Sequence, residues 1–178
     1  MKNILKLGIF LMIVAALAAG TLSITYIYTK PKIEEQKLLE INKALLEVLP
    51  EASKFEDKRG IENGKEFQYY IGLKAKKKIG AVIPVSSKGY GGPIDMMVGI
   101  SNDGKVTGVK IINLSETPGL GLNATEPSFL NQFKGKSLED KLKAKLDIQA
   151  ITGATITSQA VANGVREALE KFEEFDIF

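Results

Sequence analysis

The chain has 178 residues, 44% hydrophobic and 25% charged, a composition typical of one folded domain with an appendage. It contains no Cys, His or Trp, which excludes disulfides, iron-sulfur clusters, thiolate or imidazole metal sites and the Ser-His-Asp triad. The net charge of +3 belongs to Lys2, Lys6 and Lys30, because residues 1–30 contain no acid. The remainder is neutral, so we expect no nucleic-acid partner and no metal site.

The first predicted element is a transmembrane helix within residues 1–30. An uncharged run, LGIFLMIVAALAAGTLSITYIYT, lies between Lys6 and Lys30, and about 20 apolar residues cross a bilayer as a helix. A cleaved signal peptide is the alternative, because Ala16-Leu17-Ala18 resembles a cleavage site. The run continues beyond that site to Tyr28, where interfacial aromatic residues are common, which favours an uncleaved single-pass anchor.

The orientation of this anchor is inferred from the lysines that flank it and from the length of the domain that follows it. Lys2 and Lys6 precede the span, whereas Lys30 and Lys32 follow it. Long domains cross the membrane largely regardless of such charges. We therefore expect a cytoplasmic N-terminus in the cell (inner) membrane and a single domain, residues 31–178, on the extracytoplasmic side.

This domain is predicted to be α+β, with a mainly antiparallel sheet and flanking helices. An amphipathic helix over residues 33–49 stops before Pro50. Four strand-like runs follow, and Asn102-Asp103-Gly104 is typical of a hairpin turn between the last two, which predicts an antiparallel meander. The predicted strands are residues 67–75, 79–87, 94–101 and 106–114.

Beyond residue 115 the sequence predicts loops with short helical pieces at PSFLNQF (127–133) and LEDKLKA (138–144). A strand-like run, LDIQAI at 146–151, leads into TGATITS and a final helix from about Ser158. The periodicity places one core-facing stripe on this helix, formed by Val161, Val165, Leu169 and Phe172.

Three glycine-containing clusters are candidates for a binding site. ITGATITS (151–158) combines hydroxyl groups and small residues before a helix N-terminus, an environment suited to a phosphate, although a helix cap formed by Thr157 or Ser158 is the alternative. SETPGLGL (115–122) is suited to a ligand-shaping loop, and GYGGP (89–93) is a corner with one aromatic residue. Ordinary turns have the same composition as these last two.

Together, GYGGPI at 89–94, ETPGLG at 116–121 and TGATITSQAV at 152–161, behind one N-terminal span, resemble the RnfG family, the FMN-binding G subunits of the Rnf electron-transport complex. The resemblance extends over essentially the whole chain. The related C subunit of the sodium-translocating NADH:quinone reductase shares the domain and is the alternative, but the compact chain and the GYGG corner favour Rnf.

This resemblance implies a membrane-anchored flavoprotein that carries electrons in an ion-translocating ferredoxin:NAD oxidoreductase. Other members of the complex are the expected partners, and the chain is not expected to be an independent catalyst. Two alternatives of other classes are a sensory module, which binds flavin or a phosphorylated ligand without passing electrons, and a structural anchor.

The resemblance also implies that a separate flavin transferase joins FMN, through its phosphate, to the hydroxyl of Thr155. The motif usually has Asp where this chain has Gln149, so FMN bound without a covalent bond is the alternative. Glu116 and Thr117 are expected to contact polar atoms of the isoalloxazine or ribityl groups. The complete set of expected cofactor-binding residues is Tyr90, Glu116, Thr117, Gly119, Leu120, Gly121, Thr152, Gly153, Ala154, Thr155, Thr157 and Ser158. No catalytic side chain is expected, because a flavin supplies its own redox chemistry.

Overall fold

The computed structural model describes residues 2–62 and 65–175, and its contacts divide the chain into two units, residues 1–42 and 43–178. Helix α1, Lys2–Val48, joins the two predicted N-terminal helices into one, with Pro31 inside it. By length and composition α1 can cross a membrane, and its most apolar stretch is not buried by protein. The predicted division between residues 30 and 31 concerns where the membrane segment ends, and it stays a prediction.

The second unit contains a five-stranded antiparallel sheet whose strands lie side by side in chain order. The predicted α+β fold with an antiparallel meander is therefore confirmed. The sequence does not predict the first strand, because charged residues fill KFEDKRGIE and leave little apolar alternation. The strands are β1 (Lys54–Glu62), β2 (Lys65–Lys74), β3 (Lys77–Lys88), β4 (Pro93–Ser101) and β5 (Val106–Leu114).

Helix α3, Thr155–Glu174, covers one face of this sheet and packs against β3 and β4. The predicted core-facing stripe is confirmed, since its four residues are buried. Ser87 Oγ on β3 donates a hydrogen bond of 2.7 Å to the Ala160 carbonyl oxygen. The helix axis is thus fixed over the centre of the sheet, and its first turn lies at one end of the strands.

On the opposite face of the sheet, residues 48 and 49 pack closely against glycines of the strands. A Cβ at Gly99 would collide with the Val48 carbonyl oxygen, and one at Gly72 would collide with Leu49 Cδ2. Gly72 pairs with Gly80 and Gly99 pairs with Gly108, so the glycines of neighbouring strands form one patch. Close backbone approach is a recognised reason for glycine within a strand.

The segment between β5 and α3 has little regular structure. The predicted helical piece at 127–133 is present as α2 (Pro127–Leu130) and a 3-10 turn over Asn131–Phe133. The predicted helix at 138–144 is wrong, because this segment consists of a turn, a bend and irregular backbone, and Leu142 has a φ of +46°. The predicted strand at 146–151 is also wrong, since only an isolated bridge between Ala144 and Ile148 occurs there.

Candidate functional site: two cavities at the start of helix α3

A cavity of about 450 Å³ brings the three glycine-containing clusters together. Lys88 pairs with Pro93 and Ile94 pairs with Leu114, so the β3–β4 loop and the segment after β5 leave the sheet at the same end. The start of α3 closes the cavity from a third side. Its lining residues are Tyr90, Glu116, Thr117, Leu120, Gly121, Gly153, Ala154, Thr155, Ile156 and Thr157.

The β3–β4 loop lies directly against the chain that follows β5. A Cβ at Gly91 would collide with the Ser115 carbonyl oxygen, and one at Gly92 would lie 2.8 Å from Ser115 Cβ. The Tyr90 N–H donates a hydrogen bond of 2.7 Å to Glu116 Oε1. The glycines therefore permit a contact that any larger residue would obstruct, and Tyr90 is left at the edge of the cavity with an exposed side chain.

Helix α3 begins at Thr155, earlier than predicted, and the alternative of a side-chain cap by Thr157 or Ser158 is wrong. The N-cap residue is Ala154, without a side-chain cap hydrogen bond. Ser158 Oγ instead accepts the Ile151 N–H at 3.0 Å and donates to the Ala154 carbonyl oxygen at 2.9 Å. Within residues 2–62 and 65–175, the N–H groups of Thr155, Ile156 and Thr157 have no hydrogen-bond partner. Free N–H groups at the positive end of a helix dipole favour an anion.

Thr155 lies on the boundary between two cavities. The second has a volume of about 740 Å³ and is lined by polar or charged residues that include Gln132, Lys145, Asp147, Gln149 and Thr152. Gly153 and Thr155 line both cavities. Gly153 has a φ of +75°, and a Cβ there would lie 2.9 Å from Leu120 Cδ2. A glycine with left-handed backbone therefore lies at the boundary of the two cavities, close in sequence to Thr155.

Three predicted residues lie away from the first cavity. Thr152 is exposed and lines the second cavity. Gly119 is exposed and lines neither, and Ser158 is fully buried beneath the first turn of α3. Conversely, the sequence analysis missed Ile156, which lines the first cavity with 57% of its surface exposed. The sequence signal that could have identified Ile156 is its position between Thr155 and Thr157, as an apolar residue within a polar motif.

The wall of the second cavity is stabilised by Asp147. Its carboxylate accepts the N–H groups of Leu142 at 3.0 Å and Lys143 at 2.8 Å, and Lys136 Nζ lies 3.5 Å from Oδ2. Burial alone would raise the pKa of Asp147, but these N–H groups and Lys136 together lower it. The Lys136 ammonium, 2.8 Å from Asp140 Oδ1, likewise lowers the pKa of Asp140, with help from the Ser137 N–H. These bonds use N–H groups that a helix at 138–144 would need.

We expect Asp147→Ala to lower the free energy of unfolding by about 1–3 kcal/mol, because two backbone N–H groups lose their acceptor. Asp147→Asn keeps an oxygen acceptor and should lose less. A depressed pKa in the folded state stabilises the fold above about pH 4, and this contribution is lost as pH falls through the folded-state value. Urea unfolding at neutral and acidic pH measures both effects. Equal loss of stability on acidification in the wild type and Asp147→Asn would contradict the electrostatic role.

Comparisons with known proteins match both parts of the chain. The family model of the FMN-binding domain matches residues 89–170, from the β3–β4 loop into α3, and that of the RnfG N-terminal region matches residues 1–48. The G subunit of the proton-translocating ferredoxin:NAD(+) oxidoreductase complex of Clostridium ljungdahlii is 43% identical over 84% of this chain and 81% of its own. Its counterpart from the Na(+)-translocating complex of Acetobacterium woodii is 35% identical over 97% and 93%. The chain belongs to the RnfG family.

Solved structures agree with this family at the level of the fold. The C subunit of the Na(+)-translocating NADH-quinone reductase from Parabacteroides distasonis has a TM-score of 0.60 and 18% identity, covering 81% of this chain and 96% of that one. NqrC from Shewanella oneidensis has a TM-score of 0.54 and 23% identity, covering 71% and 70%. The resemblance to the RnfG family is thus confirmed, and the quinone-reductase alternative fits only as a related fold.

The residues that line the first cavity of this RnfG domain are compatible with FMN. Tyr90, Leu120 and Ile156 offer apolar surface to a flat ring, and Glu116 and Thr117 offer polar atoms beside it. The free N–H groups of α3 suit the phosphate. Glycines at 121 and 153 keep side chains out of the space between these groups. The family match and the lining residues therefore agree on an FMN-binding domain.

Proposed function

We propose that this chain is the membrane-anchored, electron-carrying member of an Rnf-type complex that couples ferredoxin:NAD oxidoreduction to ion movement. In this proposal FMN is attached through its phosphate to Thr155 and does not dissociate. The position of Thr155 carries the proposal. Thr155 is half-buried in the first turn of α3, which has free N–H groups, and it lines both cavities.

Each part of the site has a separate task. A bound FMN supplies the redox chemistry. Leu120 and Ile156 exclude water from the ring, and the N–H groups at the start of α3 stabilise the negative charge of the phosphate. The Thr155 hydroxyl supplies the point of attachment, which keeps the cofactor in place on the extracytoplasmic side of the membrane.

The remaining chemistry belongs to partners. A flavin transferase forms the phosphoester, and α1 remains uncleaved as the anchor. In this proposal the ferredoxin, NAD and ion sites lie on other proteins of the complex. This chain itself has no Cys to ligate an iron-sulfur cluster and no His to supply an imidazole ligand. Its relatives carry the names of ferredoxin:NAD(+) oxidoreductase complexes, which supports this placement in a larger assembly.

An intact-mass measurement tests the attachment. The full-length chain is purified in detergent from cells that contain the flavin transferase, and the matched control comes from cells without it. We expect the added mass of one FMN less one water, mapped to the peptide that contains Thr155. An unmodified chain that releases FMN on denaturation would favour non-covalent binding. An unmodified, colourless chain would overturn the proposal.

A further inference from the structure

Glu116 contacts the β3–β4 loop and lies against Gly121, which is next to the first turn of α3. Its Oε1 accepts the Tyr90 N–H of the β3–β4 loop at 2.7 Å. A Cβ at Gly121 would lie 2.7 Å from Glu116 Oε2 and 3.0 Å from Thr157 Oγ1, so the carboxylate, Gly121 and the first turn of α3 meet at one point. Among the cavity-lining residues, Glu116 thus joins the β3–β4 loop to the region where the other two segments meet.

Glycine is needed on both sides of this carboxylate. A Cβ at Gly89 would collide with Glu116 Oε1, and it would also lie 2.9 Å from the Gly92 carbonyl oxygen. The Gly89 N–H donates a hydrogen bond of 2.9 Å to the same Gly92 oxygen, which closes the loop tightly. The carboxylate therefore fits a space bounded by main chain at 89 and 121.

Glu116 forms no salt bridge with the residues that the structure describes. The side chain is half-buried, and no ion pair involves it within the described ranges 2–62 and 65–175. Hydrogen bonds from backbone N–H groups to ionised carboxylates are stronger than neutral ones. The Tyr90 N–H thus donates to the Glu116 carboxylate, and Glu116 also lines the cavity.

We propose that Glu116 is a positioning residue that fastens the β3–β4 loop across the cavity, which places Tyr90 at its edge, and that its negative charge lowers the reduction potential of the flavin. The fastening is a property of the chain alone. The effect on potential rests on the proposed function, because it requires FMN in the cavity. A fixed negative charge near a flavin ring disfavours the addition of electrons to it.

Amide hydrogen exchange on the full-length chain prepared without flavin transferase tests the fastening. Glu116→Ala should speed exchange at the Tyr90 N–H by about tenfold or more, because a hydrogen bond to a charged group is lost. Glu116→Gln keeps an oxygen acceptor and should speed it less. Glu126→Gln, which alters an exposed carboxylate in the same segment, is the matched control and should exchange like the wild type.

An unchanged Tyr90 exchange rate in Glu116→Ala would overturn the fastening. Glu116→Asp keeps the charge but shortens the side chain by one methylene, so it gives the same comparison if the alanine variant does not fold. Faster exchange is again the supporting result, and a wild-type rate is the contradicting one.

Redox titration of the FMN-loaded chain tests the effect of the charge. Glu116→Gln should favour the reduced flavin by about tenfold, which corresponds to about +30 mV for a two-electron couple. Glu126→Gln should leave the potential unchanged. A wild-type potential in Glu116→Gln would overturn this part, since a purely structural role predicts no shift when the loop stays fastened. A wild-type chain that takes up no flavin would contradict the proposed function, and the exchange result would still decide the fastening.

Discussion

Thr155→Val is expected to abolish covalent attachment of FMN while leaving the fold intact. Valine has nearly the same shape as threonine but no hydroxyl, so no phosphoester can form. The Thr155 side chain makes no hydrogen bond with any of the described residues, so its loss removes no internal interaction. With the transferase co-expressed, flavin fluorescence in a denaturing gel should fall to background, because only a covalently attached flavin stays with the denatured chain.

Two variants make this result specific. Thr155→Ser retains a hydroxyl and should keep the fluorescence, whereas Thr152→Val removes an exposed hydroxyl from the adjacent cavity and should not affect it. Undiminished fluorescence in Thr155→Val would exclude this attachment point. In membranes that contain the whole complex, ferredoxin:NAD oxidoreduction should be lost together with the covalent flavin. Normal activity would instead favour the sensory-module alternative.

Gly121→Val is expected to obstruct the cavity. The first carbon of the new side chain would lie 2.8 Å from Glu116 Cβ and 3.0 Å from Thr157 Oγ1, closer than packed atoms normally approach. Forced repacking of this kind typically lowers the free energy of unfolding by about 1–3 kcal/mol. We also expect a substantial loss of flavin loading, because the branched side chain occupies space between the groups that line the cavity.

Gly119→Ala is the matched control from the same loop. Gly119 has a φ of +76° and open space around its Cβ position, so alanine there introduces backbone strain of about 1–2 kcal/mol without entering the cavity. Urea unfolding of the flavin-free chain and fluorescence of the loaded chain separate the two effects. Gly121→Val should lose loading and Gly119→Ala should keep it, and equal loading in both would contradict the assigned cavity.

Local sequence patterns predict the parts of the fold whose burial follows from their own residues. The runs that form β2 to β5 are largely apolar, Asn102-Asp103-Gly104 marks the turn between the last two strands, and the stripe of α3 repeats at helical spacing. The failures have tertiary causes. The LEDKLKA run has helical composition, but the Asp147 carboxylate, from beyond that run, captures the N–H groups of Leu142 and Lys143.

The sequence identifies the motifs of the candidate site but not the tertiary contacts between them. The three motifs are recognisable in the sequence, and the sheet topology explains why they meet at one end. The sequence does not show that Glu116 joins the β3–β4 loop to the segment after β5, because that contact depends on the space left by Gly89 and Gly121. Gln132 and Lys145 lie outside every motif, so only the folded chain places them beside Thr155.

The charged residues of the edge strand β1 affect how copies of this domain can associate. β1 is the last strand on one side of the sheet, and among the described strands it pairs with β2 alone. An uncovered strand edge is a template on which another polypeptide can add a strand, and lysine and other charged side chains oppose this. Lys54, Lys58 and Arg59 lie along β1 with Glu56 and Asp57. If α1 anchors several copies in one membrane, these charged side chains oppose strand pairing between neighbouring copies.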